Sequence, residues 1–344
     1  MAFFDLPDYD NHEQVVFCSD ENSQLKAIIA VHSTKLGPAV GGCRMWDYVS
    51  DEEALVDALR LSKGMTYKNA LAGLKMGGGK SVIIGDANVI KSEKLFKAFG
   101  EALNGLNGRY FSAEDVNINT TDIAMANTVT PYVTGTKEKS GNPAPFTALG
   151  TFLGIKAAVK HKLNKENLTG LTVAVQGLGS VGFALCEYLH EAGAHLIVTD
   201  INPTTVNKAV SLFNAVAVSL DNIYDQQADI FSPCALGASI NDDTLNRLQV
   251  KIIAGCANNQ LAEAKHDQLI FDQGILYAPD YVINAGGIIN ISFEDDYCEI
   301  KSTKKVEKIY NTLLNIFKLS HEKQLPTGLV ADEMAQEILR NGGK

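Results

Sequence analysis

The chain has 344 residues, 46% of them hydrophobic and 20% charged, with a formal net charge of −10. That size and composition suit a globular protein with two cores, and the acidic balance excludes nucleic acid and an anionic membrane surface as partners. No apolar run approaches the ~20 residues a membrane span needs, and the N-terminal MAFFDLPDYD carries acids where a secretory leader carries lysines, so the expected location is cytoplasmic.

In chain order, Leu25–Val31 reads as a buried strand and Glu52–Ser62 as a helix with Leu55, Leu59 and Ser62 along one side. Residues 65–86, MTYKNALAGLKMGGGKSVIIGD, are the first informative block. Gly79-Lys80-Ser81 looks like the end of a nucleotide-triphosphate loop, but Leu74 stands where that loop needs glycine, and the lysine precedes a strand (Ser81–Ile84) instead of following one. The alternative reading is a glycine-rich approach, Gly77 to Gly79, giving backbone freedom and room for a substrate beside Lys80 at the mouth of a cleft. Lys68, just past the 52–63 helix, would share that site, one lysine acting as a base and the other holding a carboxylate. A further helix, Glu93–Leu103, leads to a strand from Arg109 that ends at Asp115, where catalytic groups sit in such sheets. Each of these residues alone is more commonly a solvated surface charge.

The polar segment 134–145, TGTKEKSGNPAP, reads as a domain junction and hinge, followed by a helix, Phe146–Lys160. Residues 171–200, LTVAVQGLGSVGFALCEYLHEAGAHLIVTD, then carry the strongest motif of the chain. An apolar strand runs into Gly177-Leu178-Gly179-Ser180-Val181-Gly182, a helix follows, and a second strand ends at Asp200. In this setting Gly177 permits the tight turn, Gly179 lets the backbone approach a pyrophosphate, and Gly182 lets helix and strand pack closely. The helix N-terminus offers free N–H groups to the phosphates. Asp200 would accept from the ribose hydroxyls and repel a 2′-phosphate, favouring NAD over NADP. Strands near Asp229–Ser232, Ile252–Ala254 and Leu276–Ala278 extend a parallel sheet, and residues 303–319 read as a core helix with Val306, Ile309, Tyr310, Leu313 and Phe317 on one face. The six cysteines, with no CxxC or zinc spacing, predict reduced thiols and no metal site. The seven histidines fall on helix ends and polar segments, none beside a glycine turn at a strand end. That disfavours 2-hydroxy-acid oxidation and favours lysine chemistry on an amine.

Several runs together resemble the Glu/Leu/Phe/Val amino acid dehydrogenase family: Met65-Thr66-Tyr67-Lys68-Asn69-Ala70, Gly77-Gly78-Gly79-Lys80, Ala113-Glu114-Asp115-Val116, Ser140-Gly141-Asn142-Pro143, Cys234-Ala235-Leu236-Gly237, Ala257-Asn258-Asn259-Gln260 and Asn284-Ala285-Gly286-Gly287. The resemblance runs from about residue 25 to 335 and is closest to the leucine-type members, with the phenylalanine type next. It implies an α/β fold of two domains separated by a cleft. Residues 1–136 with 327–344 would form a mixed α/β domain for substrate, catalysis and dimerisation, and residues 137–326 a Rossmann domain for NAD.

The reaction implied is reversible oxidative deamination: an L-amino acid, water and NAD giving a 2-oxo acid, ammonia and NADH as the hinge closes. By resemblance Lys68 pairs with the substrate carboxylate, Lys80 is the general base, and Asp115 exchanges protons with the amino group. Gly41, in GPAVGGCRMW, lets the carboxylate approach the backbone. Thr147, Ala235, Leu236, Asn259 and Asn284 join the glycine loop around the dinucleotide. The side-chain cup is Val40, Met65, Ala113, Thr134, Ile288 and Ile291, without a charge to receive a glutamate side chain. Ala113 follows the leucine-type pattern; Ile288 and Ile291 narrow the cup and Val40 widens it. Leu, Val and Ile are the expected substrates. A phenylalanine-type enzyme is the alternative, and a non-catalytic NAD-binding regulator a remote one. The octameric members tend to carry a longer tail than the one ending here at Lys344, so a homodimer is expected.

Overall fold

The structure, a computed structural model, describes residues 3–6, 8–135, 141–235 and 237–342. It divides into two units, one of Met1–Gly141, Ile291–Tyr297 and Ala335–Lys344, the other of Asn142–Asn290 and Cys298–Met334. Residues 136–140, inside the segment read as a hinge, and Leu236, expected near the dinucleotide, lie outside the described residues.

In the first unit the described strands are β1 (Gln14–Asp20), β2 (Leu25–Ser33), β3 (Ala39–Trp46), β4 (Gly77–Ile84) and β5 (Tyr110–Glu114), ordered β1-β2-β4-β3-β5. The sheet is mixed: β2 is antiparallel to β1 and β4, whereas β3 is parallel to β4 and β5. Successive side chains of β2 point to opposite faces. Ala27, Ile29 and Val31 pack with Phe96, Phe99 and Leu103 of the helix Glu93–Asn104. Ile28 and Ala30 pack with Ala54, Leu55, Ala58 and Leu59 of helix α1 (Asp51–Leu71). A strand covered on both faces is why LKAIIAV reads as one continuous apolar run.

Two expectations for this unit change. Helix α1 does not stop at residue 63; it runs to Leu71, so Lys68 sits in its last turn and not beyond its end. Gly64 in the helix interior costs about 1 kcal/mol relative to alanine. Burial of Thr66, Tyr67, Asn69, Ala70 and Leu71 beyond it outweighs that cost. The glycine run is likewise no turn. Gly77, Gly78 and Gly79 lie within β4, none at positive φ, and Lys80 is a mid-strand residue. What these glycines supply is thinness. A Cβ on Gly78 would stand 2.0 Å from the Thr66 backbone nitrogen, and one on Gly79 2.6 Å from the Tyr110 ring. Helix α1 therefore lies directly on β4, and Asn69 Nδ2 donates to Gly77 O at 2.6 Å.

The second unit holds β6 (Thr172–Gln176), β7 (His195–Thr199), β8 (Val216–Ala217), β9 (Ile230–Pro233), β10 (Ile252–Ile253) and β11 (Leu276–Tyr277), ordered β11-β10-β9-β6-β7-β8. Every pairing among them is parallel. This is the Rossmann order, and it reverses direction between β6 and β9, the point outside whose strand ends a dinucleotide binds.

The core face expected of residues 303–319 holds for Val306, Ile309, Leu313 and Phe317, which are buried on the helices Glu299–Val306 and Lys308–Lys323. The last helix, Thr327–Arg340, buries Val330, Ala331, Ala335 and Leu339, and leaves Leu329 46% exposed. The Asp267 carboxylate accepts from the Gly328 and Leu329 amides at 3.3 and 3.1 Å, which holds the start of the helix with Leu329 outward. One histidine departs from its expected place: like His12 and His266, His32 is buried, and it lies within β2. Its Nδ1 meets Thr66 Oγ1 at 2.8 Å, and burial, with His12 beside it, holds it down to about 4. All six cysteines are free thiols. Among the described residues no helix is long and apolar enough to cross a membrane.

Candidate active site

In the first unit, the register of the sheet brings four candidate positions onto neighbouring strands. Lys80 lies in β4, Gly41 and Arg44 in β3, and Asp115 directly follows β5. The turn after β5 is tied back to β3, because Met45 N donates to Val116 O at 3.0 Å and Asn117 Nδ2 to Met45 O at 3.1 Å. Asn117 takes a left-handed φ of 59° to make this possible. Asp115 is thereby held facing the strands. Lys80, 5% exposed, donates from Nζ to Asp115 Oδ2 at 2.8 Å. Arg44 Nε donates to the same oxygen at 3.2 Å, while its Nη1 reaches Asp57 Oδ2 at 3.0 Å.

Burial alone would raise the Asp115 carboxyl. The charges of Lys80 and then Arg44 outweigh it and hold the group at about 2, below its ordinary 3.8. An acid depressed in this way stabilises the fold fully above its ordinary value, and that contribution is lost as pH falls through about 2. Asp115 is therefore a carboxylate at working pH. The neighbouring Cys43 thiol is pushed up to about 12 by burial and stays neutral.

Glycine at 41 is required on steric grounds. A Cβ there would stand 1.8 Å from Gly79 O and 3.2 Å from Met65 Cγ. Tyr110 OH donates to Gly41 O at 2.7 Å. Of the expected cup residues in this unit, Val40 and Ala113 are buried, and Met65, Thr134 and Ile291 are half-buried. Gly135 sits between two of them: its Cβ would be 3.6 Å from Ile291 Cδ1 and 3.7 Å from Ala113 Cβ. A carboxylate borders the expected cup, and it cannot receive a glutamate side chain. Glu294 accepts from Thr134 Oγ1 at 2.5 Å and from the Gly135 amide at 2.9 Å. Lys68, half-buried in α1, belongs to this unit, whereas Ile288 belongs to the second.

In the second unit, the three glycines of the loop differ in what surrounds them. Gly177 has φ 99°, and a Cβ on it would stand 2.8 Å from Ala235. A Cβ on Gly182 would stand 2.1 Å from Gly177 O, so helix and strand touch there. A Cβ on Gly179 would meet nothing within 4 Å, which leaves open space in front of the helix Ser180–Glu191. That helix has no side-chain cap, and its first N–H groups, around Ser180 and Val181, are available to an anion. Asp200 Oδ2 accepts from the Leu178 amide at 2.6 Å and Oδ1 from the Asn202 amide at 2.8 Å. The acid thus also holds the glycine loop. Asn284 donates from Nδ2 to Asn258 Oδ1 at 2.7 Å, and its own Oδ1 is buried without a partner among the described residues. Thr147 Oγ1 donates to Pro143 O at 3.3 Å, and Asn259, at φ 51°, accepts from Ala238 N at 2.7 Å. An open phosphate cradle and an orphaned buried acceptor are what a dinucleotide site requires.

Comparison with known proteins agrees with both halves. Residues 12–135 match the profile of the Glu/Leu/Phe/Val dehydrogenase dimerisation domain, and residues 198–328 that of the glutamate/leucine/phenylalanine/valine dehydrogenases. The leucine dehydrogenase of Bacillus subtilis (strain 168) is 52% identical over 341 residues, 98% of this chain and 94% of the relative. The chain belongs to the Glu/Leu/Phe/Val dehydrogenase family. The L-tryptophan dehydrogenase of Nostoc punctiforme (strain ATCC 29133 / PCC 73102) is 49% identical over 343 residues, 99% of this chain and 97% of that one. The crystal structure of L-tryptophan dehydrogenase from Nostoc punctiforme superposes with a TM-score of 0.86 at 47% identity, covering 96% of each chain. A hetero-hexameric glutamate dehydrogenase from Thermus thermophilus shares the fold, with a TM-score of 0.79 at 20% identity over 96% of this chain and 89% of that one.

The candidate site of this amino acid dehydrogenase also includes positions that its sequence does not advertise. Arg44 lies within GPAVGGCRMW, a run from which the sequence reading takes only Val40 and Gly41. Its alternation with Gly42 along β3 is the signal that places it on one face of the strand. Asp57 and Glu294 carry no local signal, because their partners are 13 and 160 residues away.

Proposed function

We propose that this dehydrogenase catalyses the NAD-dependent, reversible oxidative deamination of branched-chain L-amino acids to 2-oxo acids and ammonia. The observation that carries the reading is the buried Lys80–Asp115 pair, in a chain 52% identical to a leucine dehydrogenase over 98% of its length. NAD would be held by the Gly177–Gly182 loop, Asp200 and Asn284, and supplies the acceptor for the hydride leaving the substrate Cα. The chain's residues do the rest. Lys68 holds the substrate carboxylate with a charge-assisted bond. Neutral Lys80 takes a proton from the water that adds to the imino carbon. Asp115, ionised at rest, takes a proton from the substrate's ammonium group before the hydride leaves. It returns that proton to the nitrogen of the carbinolamine, which departs as ammonia while the hydroxyl proton is lost to solvent and the carbonyl forms.

The cofactor preference follows from Asp200. A 2′-phosphate brought beside this carboxylate meets like charge, a penalty of several kcal/mol. Initial rates with L-leucine should therefore give kcat/KM at least about 100-fold higher for NAD than for NADP. Equal values would contradict the assignment of Asp200, and no NADH formation at all would contradict the proposed reaction.

For assembly we propose a homodimer formed through the first unit, supported by the match of residues 12–135 to a dimerisation domain. Light scattering should return about twice the 37.1 kDa chain mass, and a monomeric mass would contradict this.

A further inference from the structure

Asp115 Oδ2 accepts from two cations, Lys80 and Arg44, and the second is itself anchored from behind. Arg44 uses Nε for Asp115 and Nη1 for Asp57 of α1, and Tyr48 OH donates to the same Asp57 oxygen at 2.7 Å. The guanidinium is 18% exposed, Asp57 20% and Asp115 18%. A planar fork spans two carboxylates in a way that a lysine ammonium does not. The four charges, Lys80 and Arg44 against Asp115 and Asp57, sum to zero.

This arrangement addresses a difficulty in the proposed chemistry, on which the inference rests. A lysine whose only counter-ion is a buried carboxylate resists losing its proton, because the carboxylate would be left uncompensated. Arginine keeps its charge at every accessible pH. With Arg44 in place, Asp115 remains paired whether or not Lys80 carries a proton. We infer that Arg44 is a positioning residue for deamination: it holds Asp115 ionised and oriented so that Lys80 can lose its proton, and Asp57 fixes the fork that does so. Among the described residues, Cys43 of β3, Tyr110 of β5 and Tyr48 also face the cluster. Burial raises all three above their ordinary values, so they remain neutral and add no charge.

The test is the pH dependence of kcat for NAD-linked leucine oxidation. Arg44→Gln should lower kcat by about 100-fold, as misplacement of a catalytic group does. It should also move the alkaline rise of kcat upward by about one pH unit, since one of the two cations on Asp115 is gone. Arg44→Lys should return the midpoint towards the wild-type value while kcat recovers only in part, because charge is restored and the fork is not. Asp57→Asn should move the midpoint downward, a reversal of sign that loss of packing does not produce. NADH binding and circular dichroism establish that each variant is folded, and if Arg44→Gln does not fold, Asp57→Asn carries the test. An unmoved midpoint in the folded variants, with Lys80→Ala inactive in parallel, overturns the role of Arg44 alone. Wild-type-like turnover by Lys80→Ala overturns the underlying reading instead.

Discussion

Replacing Lys80 with alanine should lower kcat for leucine oxidation by about 10²–10⁴-fold, the range that a positioned general base supplies. The residue is buried in β4 with its ammonium 2.8 Å from Asp115, so no solvent-exposed lysine can take its place. NADH binding, read by fluorescence, should survive, because the glycine loop, Asp200 and Asn284 all belong to the second unit. In the wild type the deamination rate should rise from pH 7 towards alkaline values, since only a neutral amine accepts a proton. Lys68→Ala should behave differently. A charged hydrogen bond present in ground and transition states alike is worth about 1.5–3 kcal/mol, so its loss should raise KM for leucine by about 10–100-fold with a smaller effect on kcat. Steady-state kinetics of the two variants checks both expectations. Wild-type turnover by Lys80→Ala would remove Lys80 from the mechanism.

The dinucleotide half of this enzyme is legible in sequence because its signals are local. The strand, glycine loop, helix and acid of residues 172–200 are consecutive; Gly177 and Gly182 each answer to a close contact and Gly179 to open space. The catalytic half is less so. Three glycines before a lysine suggest a turn, yet here they form the interior of β4, since helix α1 lies so close that Gly78 has no room for a Cβ. Gly64 suggests the end of a helix that tertiary packing carries on for seven more residues, to Leu71. Propensity is a weak prior beside such burial. Arg44 and Asp57 meet only once helix α1 packs on the sheet, and Glu294 reaches Thr134 and Gly135 from some 160 residues away, so no spacing rule reaches them.

Side-chain selection among substrates rests on small energies. Of the proposed cup residues, Val40, Met65, Ala113, Thr134 and Ile291 belong to the first unit, where a Cβ on Gly135 would be in van der Waals contact with Ala113 and Ile291. One methylene is worth only ~1–3 kcal/mol in such a pocket, so leucine, valine and isoleucine should overlap within about 100-fold. The Glu294 carboxylate, bound to Thr134 and Gly135, adds like charge against glutamate or aspartate. The proposed cup is expected to disfavour an indole or phenyl ring, since overpacking costs about 1–3 kcal/mol or more. The kinship to an L-tryptophan dehydrogenase at 49% identity makes this the sharpest point of the account. It is decided by kcat/KM with NAD across Leu, Ile, Val, Phe, Trp and Glu. The three branched-chain residues should rank first, Phe and Trp at least about 10-fold lower, and Glu near background; Trp or Phe in first place would contradict the assignment.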